Sequence, residues 1–208
     1  MSVTADSNHT ITPANQRLRI AVLRILFVLA ALPILLGVPV WHGAALSLVH
    51  TLGTLTIIAA VLGRFWAILY IGGRKNATVM QDGPYSLCRH PLYSFSIIGV
   101  VGFGLALGSV VLAVALGALA AAVLWLTARR EERFLRAAFG PAYDAYAAHV
   151  PRLMPRLSNF HTPPRITVDL SVLRRNLADA LVFLTAIPLA AAIQAMHAAG
   201  YGAAFRLW

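Results

Sequence analysis

Residues 90–128 read HPLYSFSIIGVVGFGLALGSVVLAVALGALAAAVLWLTA, and these 39 residues contain no Asp, Glu, Lys or Arg. As one continuous helix they would reach roughly 58 Å, which is about two crossings of a hydrocarbon core of ~30 Å. The pair Gly108-Ser109 near the midpoint is a turn signal. The stretch therefore predicts a hairpin of two transmembrane helices, at about 93–107 and 110–128.

Two other charge-free intervals extend this pattern. Residues 25–63 again number 39, and the sequence GVPVWHG at 37–43 divides them, which predicts crossings at about 19–40 and 45–70. The 26 residues between Asp179 and Arg206 predict a fifth crossing at about 177–198, with Pro188 as a kink. The predicted fold is an all-α integral membrane protein of about five transmembrane helices.

The composition and the charge distribution agree with a membrane protein. Hydrophobic residues make up 59% of the chain and charged residues 12%, which is too apolar for an ordinary soluble domain. The net charge of +10 does not require nucleic acid as a partner, because almost all basic residues flank the apolar intervals on one side. By the positive-inside rule the N-terminus is cytoplasmic and the C-terminus outside. The partner is a bilayer, and an Ala- and Arg-rich chain suggests a bacterial inner membrane.

The segment GPYSLCRHPLY at 83–93 is the first candidate site. Gly-Pro makes a turn, and Pro91 suits the first position of a helix. The free amides of that helix start, with Arg89 and His90 beside them, predict an anion site at the cytoplasmic boundary. The alternative is that Arg89 is a positive-inside anchor and His90 an interfacial cap.

Glu131 and Glu132 follow the second helix of the hairpin. If the two helices are antiparallel, both carboxylates reach the membrane face that carries Arg89 and His90. The alternative is a solvated helix end that pairs with Arg129, Arg130, Arg133 and Arg136. Tyr143 and Tyr146, three residues apart, are interpreted as one amphipathic face on the bilayer surface.

These motifs together carry a family resemblance. GPYSLCRHPLY, a short apolar hairpin, Glu131-Glu132 and then FGPAYDAYAAHVPRLMP at 139–155 resemble the isoprenylcysteine carboxyl methyltransferase family, which is related to phospholipid N-methyltransferases. The similarity covers about residues 64–156. It implies S-adenosylmethionine bound at the cytoplasmic end of a helical bundle, and a lipophilic methyl acceptor that enters from the lipid, with a carboxylate, an amine or a thiol as the accepting group.

Methyl transfer from a sulfonium is an in-line displacement that mainly needs positioning and exclusion of water. Arg89 and His90 are candidates for the donor's carboxylate, and Glu131 or Glu132 for its ammonium or ribose, with Glu131 favoured. Tyrosine rings suit the adenine and the sulfonium. The predicted catalytic residues are Arg89, Glu131 and Glu132. The predicted cofactor-binding residues are Tyr85, Arg89, His90, Pro91, Tyr93, Glu131 and Glu132.

The predicted crossings and the resemblance together divide the chain into five parts. They are a cytoplasmic tail (1–18), an N-terminal transmembrane hairpin (19–70), a methyltransferase core (71–156), a cytoplasmic surface linker (157–176), and a C-terminal transmembrane helix with its tail (177–208). The linker contains Pro163-Pro164 and an amphipathic stretch, and a lid over the cofactor is its alternative role.

Two other classes of function stay open at this point. An NADPH-dependent membrane reductase needs no G-x-G-x-x-G loop, so its absence does not exclude that class. A non-catalytic membrane or transport partner is disfavoured because the apolar intervals 25–63, 90–128 and 180–205 hold no charged residue. No metal site is predicted, since the chain has one cysteine and its histidines are scattered. The oligomeric state is left open.

Overall fold

The computed structural model of the protein describes residues 34–39, 41–71, 78–168, 170–201 and 205–206, which are mostly helical. Short 3₁₀ turns occur at Leu157–Asn159 and Val182–Thr185. Two-residue strands β1 (Gly37–Val38) and β2 (Phe205–Arg206) pair in parallel. The α-helices are α1 (Gly43–Ile71), α2 (Pro84–Leu87), α3 (Pro91–Ala106), α4 (Val110–Phe139), α5 (Pro141–His149), α6 (Leu170–Leu181) and α7 (Ala186–Ala198).

The predicted hairpin is present as α3 and α4. Gly108 adopts a φ of +80°, which a residue with a side chain rarely adopts. Ser109 caps α4, because its buried hydroxyl accepts a 2.9 Å hydrogen bond from the amide of Leu112. Helix α4 continues to Phe139, well past the predicted end at 128. Its 30 residues extend about 45 Å, so its last turns continue beyond the apolar stretch and carry Glu131 and Glu132.

Helix α3 packs between α1 and α4 through small residues. A β-carbon added to Gly53 of α1 would overlap the backbone of Leu105 and Ala106. The two helices therefore approach as closely as membrane helices with glycine at their interface do. The hydrophobic core that results consists of Ile57, Ala106, Leu107, Leu112, Ala190 and Ile193.

Two of the described helices, α1 and α4, are long and apolar enough to cross a membrane. Helix α3 and the apolar stretch Val182–Ala198 are shorter. The predicted first crossing at 19–40 lies almost entirely outside the described residues. The count of five crossings and the division into five parts therefore stay predictions.

The C-terminal crossing differs from its prediction. In place of one helix over 177–198 with a kink at Pro188, the chain forms α6, the 3₁₀ turn Val182–Thr185 and α7. The backbone stays helical through this turn, because Leu181, Thr185 and Ala186 all have right-handed helical dihedral angles. Pro188 cannot donate to the carbonyl of Leu184, four residues earlier, so the 3₁₀ turn lies next to the predicted kink. Helix α6 already begins at Leu170, inside the predicted linker 157–176.

Candidate active site

A segment after α5 runs beside the chain that leads into α3. We call residues 150–162 the strap. Four backbone hydrogen bonds join the strap to residues 83–90, and they fix both segments against each other. They run from Gly83 N to His161 O (2.8 Å), from Arg89 N to Pro151 O (2.8 Å), from His90 N to Arg152 O (3.1 Å) and from Arg156 N to Leu87 O (2.9 Å).

These bonds correct the expectation of free amides at the start of α3. The amides of Arg89 and His90 donate to strap carbonyls, and the amide of Tyr93 donates to His90 O at 3.0 Å. An anion at this helix start would therefore have to be bound chiefly by side chains.

The structure separates the two adjacent carboxylates by burial. The side chain of Glu132 is 1% exposed, whereas that of Glu131 is 27% exposed. Glu131 lines a pocket at the end of the hairpin, and Glu132 is not among the residues that line it. The two neighbours therefore lie in different environments.

Glu132 is surrounded by cationic and imidazole groups. Arg152 donates two hydrogen bonds to it, Nε to Oε1 at 2.8 Å and Nη2 to Oε2 at 2.7 Å. His90 Nε2 and Arg89 Nη2 approach Oε1 at 3.3 and 3.5 Å. The hydrogen bonds with Glu132 raise the pKa of Arg152, and its guanidinium also lies 4.4 Å from the centre of the Trp125 ring. Glu132 thus joins α4, the start of α3 and the strap.

A surface ion-pair role is consequently wrong for Glu132. Among the ion pairs found in the described residues, none joins Glu131 or Glu132 to an arginine of α4. Arg136 pairs instead with Asp144 at 2.9 Å, and both of these side chains are exposed.

Glu131 takes part in a second contact group, which faces the pocket. It accepts a 2.8 Å hydrogen bond from the hydroxyl of Tyr93, and His90 Nδ1 lies 3.6 Å from its Oε2. The rings of His90 and Tyr93 are stacked, with centroids 5.3 Å apart. His90 therefore stands between the two carboxylates.

The pocket encloses a cavity of about 100 Å³ and is open to solvent at its mouth. One part of its wall is polar, formed by Arg89, His90 and Glu131. The remaining wall is mainly apolar or aromatic, formed by Ile71, Val79, Met80, Leu92, Leu135 and the tyrosines, with Thr78.

Tyr143 and Tyr146 belong to this wall, so their interpretation as a face on the bilayer surface is wrong. Both are buried, and Tyr146 donates a 2.7 Å hydrogen bond to the carbonyl of Tyr85. Burial, together with the nearby Glu132 charge, raises the pKa of Tyr143 to about 12. Burial also raises the pKa of Tyr146. Both hydroxyls are consequently protonated at neutral pH.

Three buried polar groups of pocket residues lack a hydrogen-bond partner. Within the described residues these are the hydroxyls of Tyr85 and Tyr143 and Nε of Arg89, and all three residues line the pocket. Buried polar groups are nearly always hydrogen-bonded in proteins. These three groups therefore suit the polar atoms of a bound ligand.

The structure brings most of the predicted site residues to one place. Tyr85, Arg89, His90, Tyr93 and Glu131 line the pocket. Pro91 is the buried first residue of α3 and is not part of the lining. The sequence analysis missed three contributors: Arg152, Tyr143 and Tyr146. All three lie in the quoted motif at 139–155, so their spacing was visible although their roles were not.

The residues that form the hairpin and most of its pocket also match a known protein family. The profile of the phospholipid methyltransferase family matches residues 38–142. The chain belongs to this family of membrane methyltransferases, which confirms the predicted relationship to phospholipid methyltransferases.

Two curated relatives extend the similarity over most of the chain. It is 42% identical over 188 residues to the cobalt-zinc-cadmium resistance protein CzcN of Cupriavidus metallidurans, covering 88% of this chain and 85% of the relative. It is 37% identical over 169 residues to the nickel-cobalt-cadmium resistance protein NccN of Alcaligenes xylosoxydans xylosoxydans, covering 81% and 79%. No solved structure matches.

Proposed function

We propose that this protein transfers a methyl group from S-adenosylmethionine to a lipophilic acceptor at the cytoplasmic face of a bacterial inner membrane. The observation that carries the proposal is the pocket, which combines Arg89, Glu131 and buried tyrosines at one end of the hairpin. Membership of a methyltransferase family supports the reaction type.

The pocket residues fit the chemical groups of the proposed donor. The unpartnered Nε of Arg89 suits the methionine carboxylate, with which guanidinium makes charge-assisted hydrogen bonds. The partly exposed Glu131 suits the ammonium or the ribose hydroxyls. The tyrosine rings suit the adenine and the positive sulfonium. When bound, S-adenosylmethionine supplies the activated methyl group, and the protein contributes positioning and exclusion of water.

The apolar wall supports a lipophilic acceptor. Ile71 ends α1 and Leu92 begins α3, and both line the pocket. These apolar side chains offer a surface for the hydrocarbon part of such an acceptor. A carboxylate, an amine and a thiol all remain candidates for the accepting group, and labelled S-adenosylmethionine incubated with total membrane lipid would identify the methylated product.

The first prediction tests the donor site. Arg89→Ala should weaken binding of S-adenosylhomocysteine by about 1.5–3 kcal/mol, the cost of losing hydrogen bonds to a charged group. Calorimetry in detergent measures the affinity, and Arg130→Ala on the same membrane face is the control. Unchanged affinity in folded Arg89→Ala protein contradicts the assignment. Thermal stabilisation by NADPH instead of S-adenosylhomocysteine would favour the reductase class.

The second prediction tests orientation. Because the basic residues flank the spans on one side, a reporter inserted at Asn159 should lie in the cytoplasm and one fused after Trp208 outside. Reporters that are active only in one compartment measure this in cells. Finding both fusions on the same side would require an even number of crossings between Asn159 and Trp208.

The names of the two relatives favour, as a second candidate, a non-catalytic role in a metal-resistance system. Among the described residues there is no group of three or more His, Cys, Asp or Glu side chains arranged to hold a metal ion. The experiment with labelled S-adenosylmethionine separates the candidates, because a non-catalytic partner transfers no methyl group to any lipid.

A further inference from the structure

The outer face of the strap exposes three large apolar side chains. Met154 is 80% exposed, Leu157 77% and Phe160 50%. They follow one another at intervals of three residues, in a segment that four backbone hydrogen bonds hold against residues 83–90. Their exposure therefore belongs to a fixed structure and needs a partner surface.

Two contacts place the strap at the end of a membrane-spanning helix. The ring of Phe160 lies 6.1 Å from that of Trp66, and the hydroxyl of Tyr70 is 2.7 Å from Oγ1 of Thr162. Trp66 and Tyr70 occupy the last two turns of α1. Tryptophan and tyrosine at the end of a span are typical of the boundary between hydrocarbon and water. The strap consequently lies at that level.

The charge of the strap suits the same surface. Residues 150–162 read VPRLMPRLSNFHT and contain no acidic residue. Arg156 is exposed between Met154 and Leu157. An exposed arginine among apolar side chains can interact with anionic headgroups while its neighbours enter the acyl region.

We propose that the strap enters the headgroup–acyl boundary of the adjacent leaflet through Met154, Leu157 and Phe160, and that the lipid surface thereby supports the pocket. The partner is the bilayer. The inner side of the same segment supplies the carbonyls that accept from the amides of Arg89 and His90. Lipid contact on the outside is thus connected to the position of two pocket residues. The inference rests on the membrane location of the protein and not on its cofactor.

Depth-dependent quenching tests the insertion. Cys88, which is buried, is first replaced by Ala, and Leu157→Cys is labelled with an environment-sensitive fluorophore. The protein is placed in phosphatidylcholine–phosphatidylglycerol vesicles that carry a nitroxide near the start of the acyl chain. We expect strong quenching at position 157. The matched control is Asp144→Cys. Its partner Arg136 lies more than two helical turns past Thr127, where the apolar stretch of α4 ends. Position 144 should therefore lie away from the lipid, and we expect little quenching there.

A second measurement tests the connection to the pocket. In vesicles, Leu157→Asp should make the amides of Arg89 and His90 exchange hydrogen several-fold faster, because a carboxylate withdraws the strap from the lipid. Ser158→Asp adds the same charge to the neighbouring position and should leave both amides protected. Equal quenching at 157 and 144, absence of quenching at both, or equal exchange in the two Asp variants would overturn the proposal. None of these readouts depends on S-adenosylmethionine.

Discussion

Ligand-free protein carrying Arg152→Ala should melt about 6–12 °C below the parent. Arg152 supplies two of the hydrogen bonds to Glu132, whose side chain is 1% exposed. Removing one partner of a buried ion pair costs about 3–5 kcal/mol because the other charge stays buried. We take the lower value, since Arg89 and His90 remain beside the carboxylate. For a chain of this size each kcal/mol shifts the melting temperature by about 2–4 °C.

Arg136→Ala is the matched control, because Arg136 also pairs with one carboxylate but in an exposed position. Exposed pairs contribute about 0–1 kcal/mol, so its melting temperature should hardly change. The double variant Arg152→Met with Glu132→Gln should recover part of the loss, because it removes the buried carboxylate that Arg152→Ala leaves without its two shortest hydrogen bonds. Recovery should be incomplete, because Arg89 then loses its carboxylate partner. A loss in Arg152→Ala no larger than in Arg136→Ala would mean that the contacts of Glu132 do not stabilise the fold.

Replacing the two neighbouring carboxylates one at a time should affect two different properties, ligand affinity and thermal stability. Glu131→Gln removes a charge that faces the pocket, so we expect at least about a tenfold loss in affinity for S-adenosylhomocysteine, equivalent to 1.4 kcal/mol, with little change in ligand-free melting. Glu132→Gln removes the charge that Arg152, Arg89 and His90 share, so we expect a lower melting temperature. Calorimetric binding and thermal melting, measured on both variants, give the comparison.

The two substitutions are identical in chemistry and adjacent in sequence, so each is the control for the other. Normal binding by Glu131→Gln would remove Glu131 from the donor site. A binding loss confined to Glu132→Gln, with unchanged melting, would mean that Glu132 reaches the ligand itself. In that case the pocket would have to open further than the structure shows.

The sequence predicted the hairpin, and it predicted that the start of its first helix and the end of its second helix lie at the same membrane face. Charged residues mark where apolar helices can end, and an antiparallel pair must bring Glu131 to the face that carries Arg89. It favoured Glu131 for the donor but did not predict that Glu132 is buried. Adjacent helix positions point about 100° apart, and only the packing of the strap decides which of the two is covered. For the same reason Arg152 was seen as part of a motif and not as the partner of Glu132.

One interpretation failed because the deciding contact is distant in sequence. Tyr143 and Tyr146 show the spacing of a surface helix, yet the hydroxyl of Tyr146 bonds to the carbonyl of Tyr85, 61 residues away. The 3₁₀ turn Val182–Thr185 lies just before Pro188, which cannot donate to the carbonyl of Leu184. Phe183 of this turn also lies 4.7 Å from the guanidinium of Arg64 on α1, a tertiary contact that local sequence signals do not reveal.

The bond between Arg152 and Glu132 cannot form until the strap has been synthesised. A nascent chain that ends at Gly140 already contains α3, α4 and Glu132 but none of the strap. Its carboxylate would lack its two shortest hydrogen bonds, and the amides of Arg89 and His90 would lack their acceptors. Unsatisfied groups of this kind are costly away from water. A chain that stops before the strap should therefore be less stable at this end of the hairpin than the finished protein.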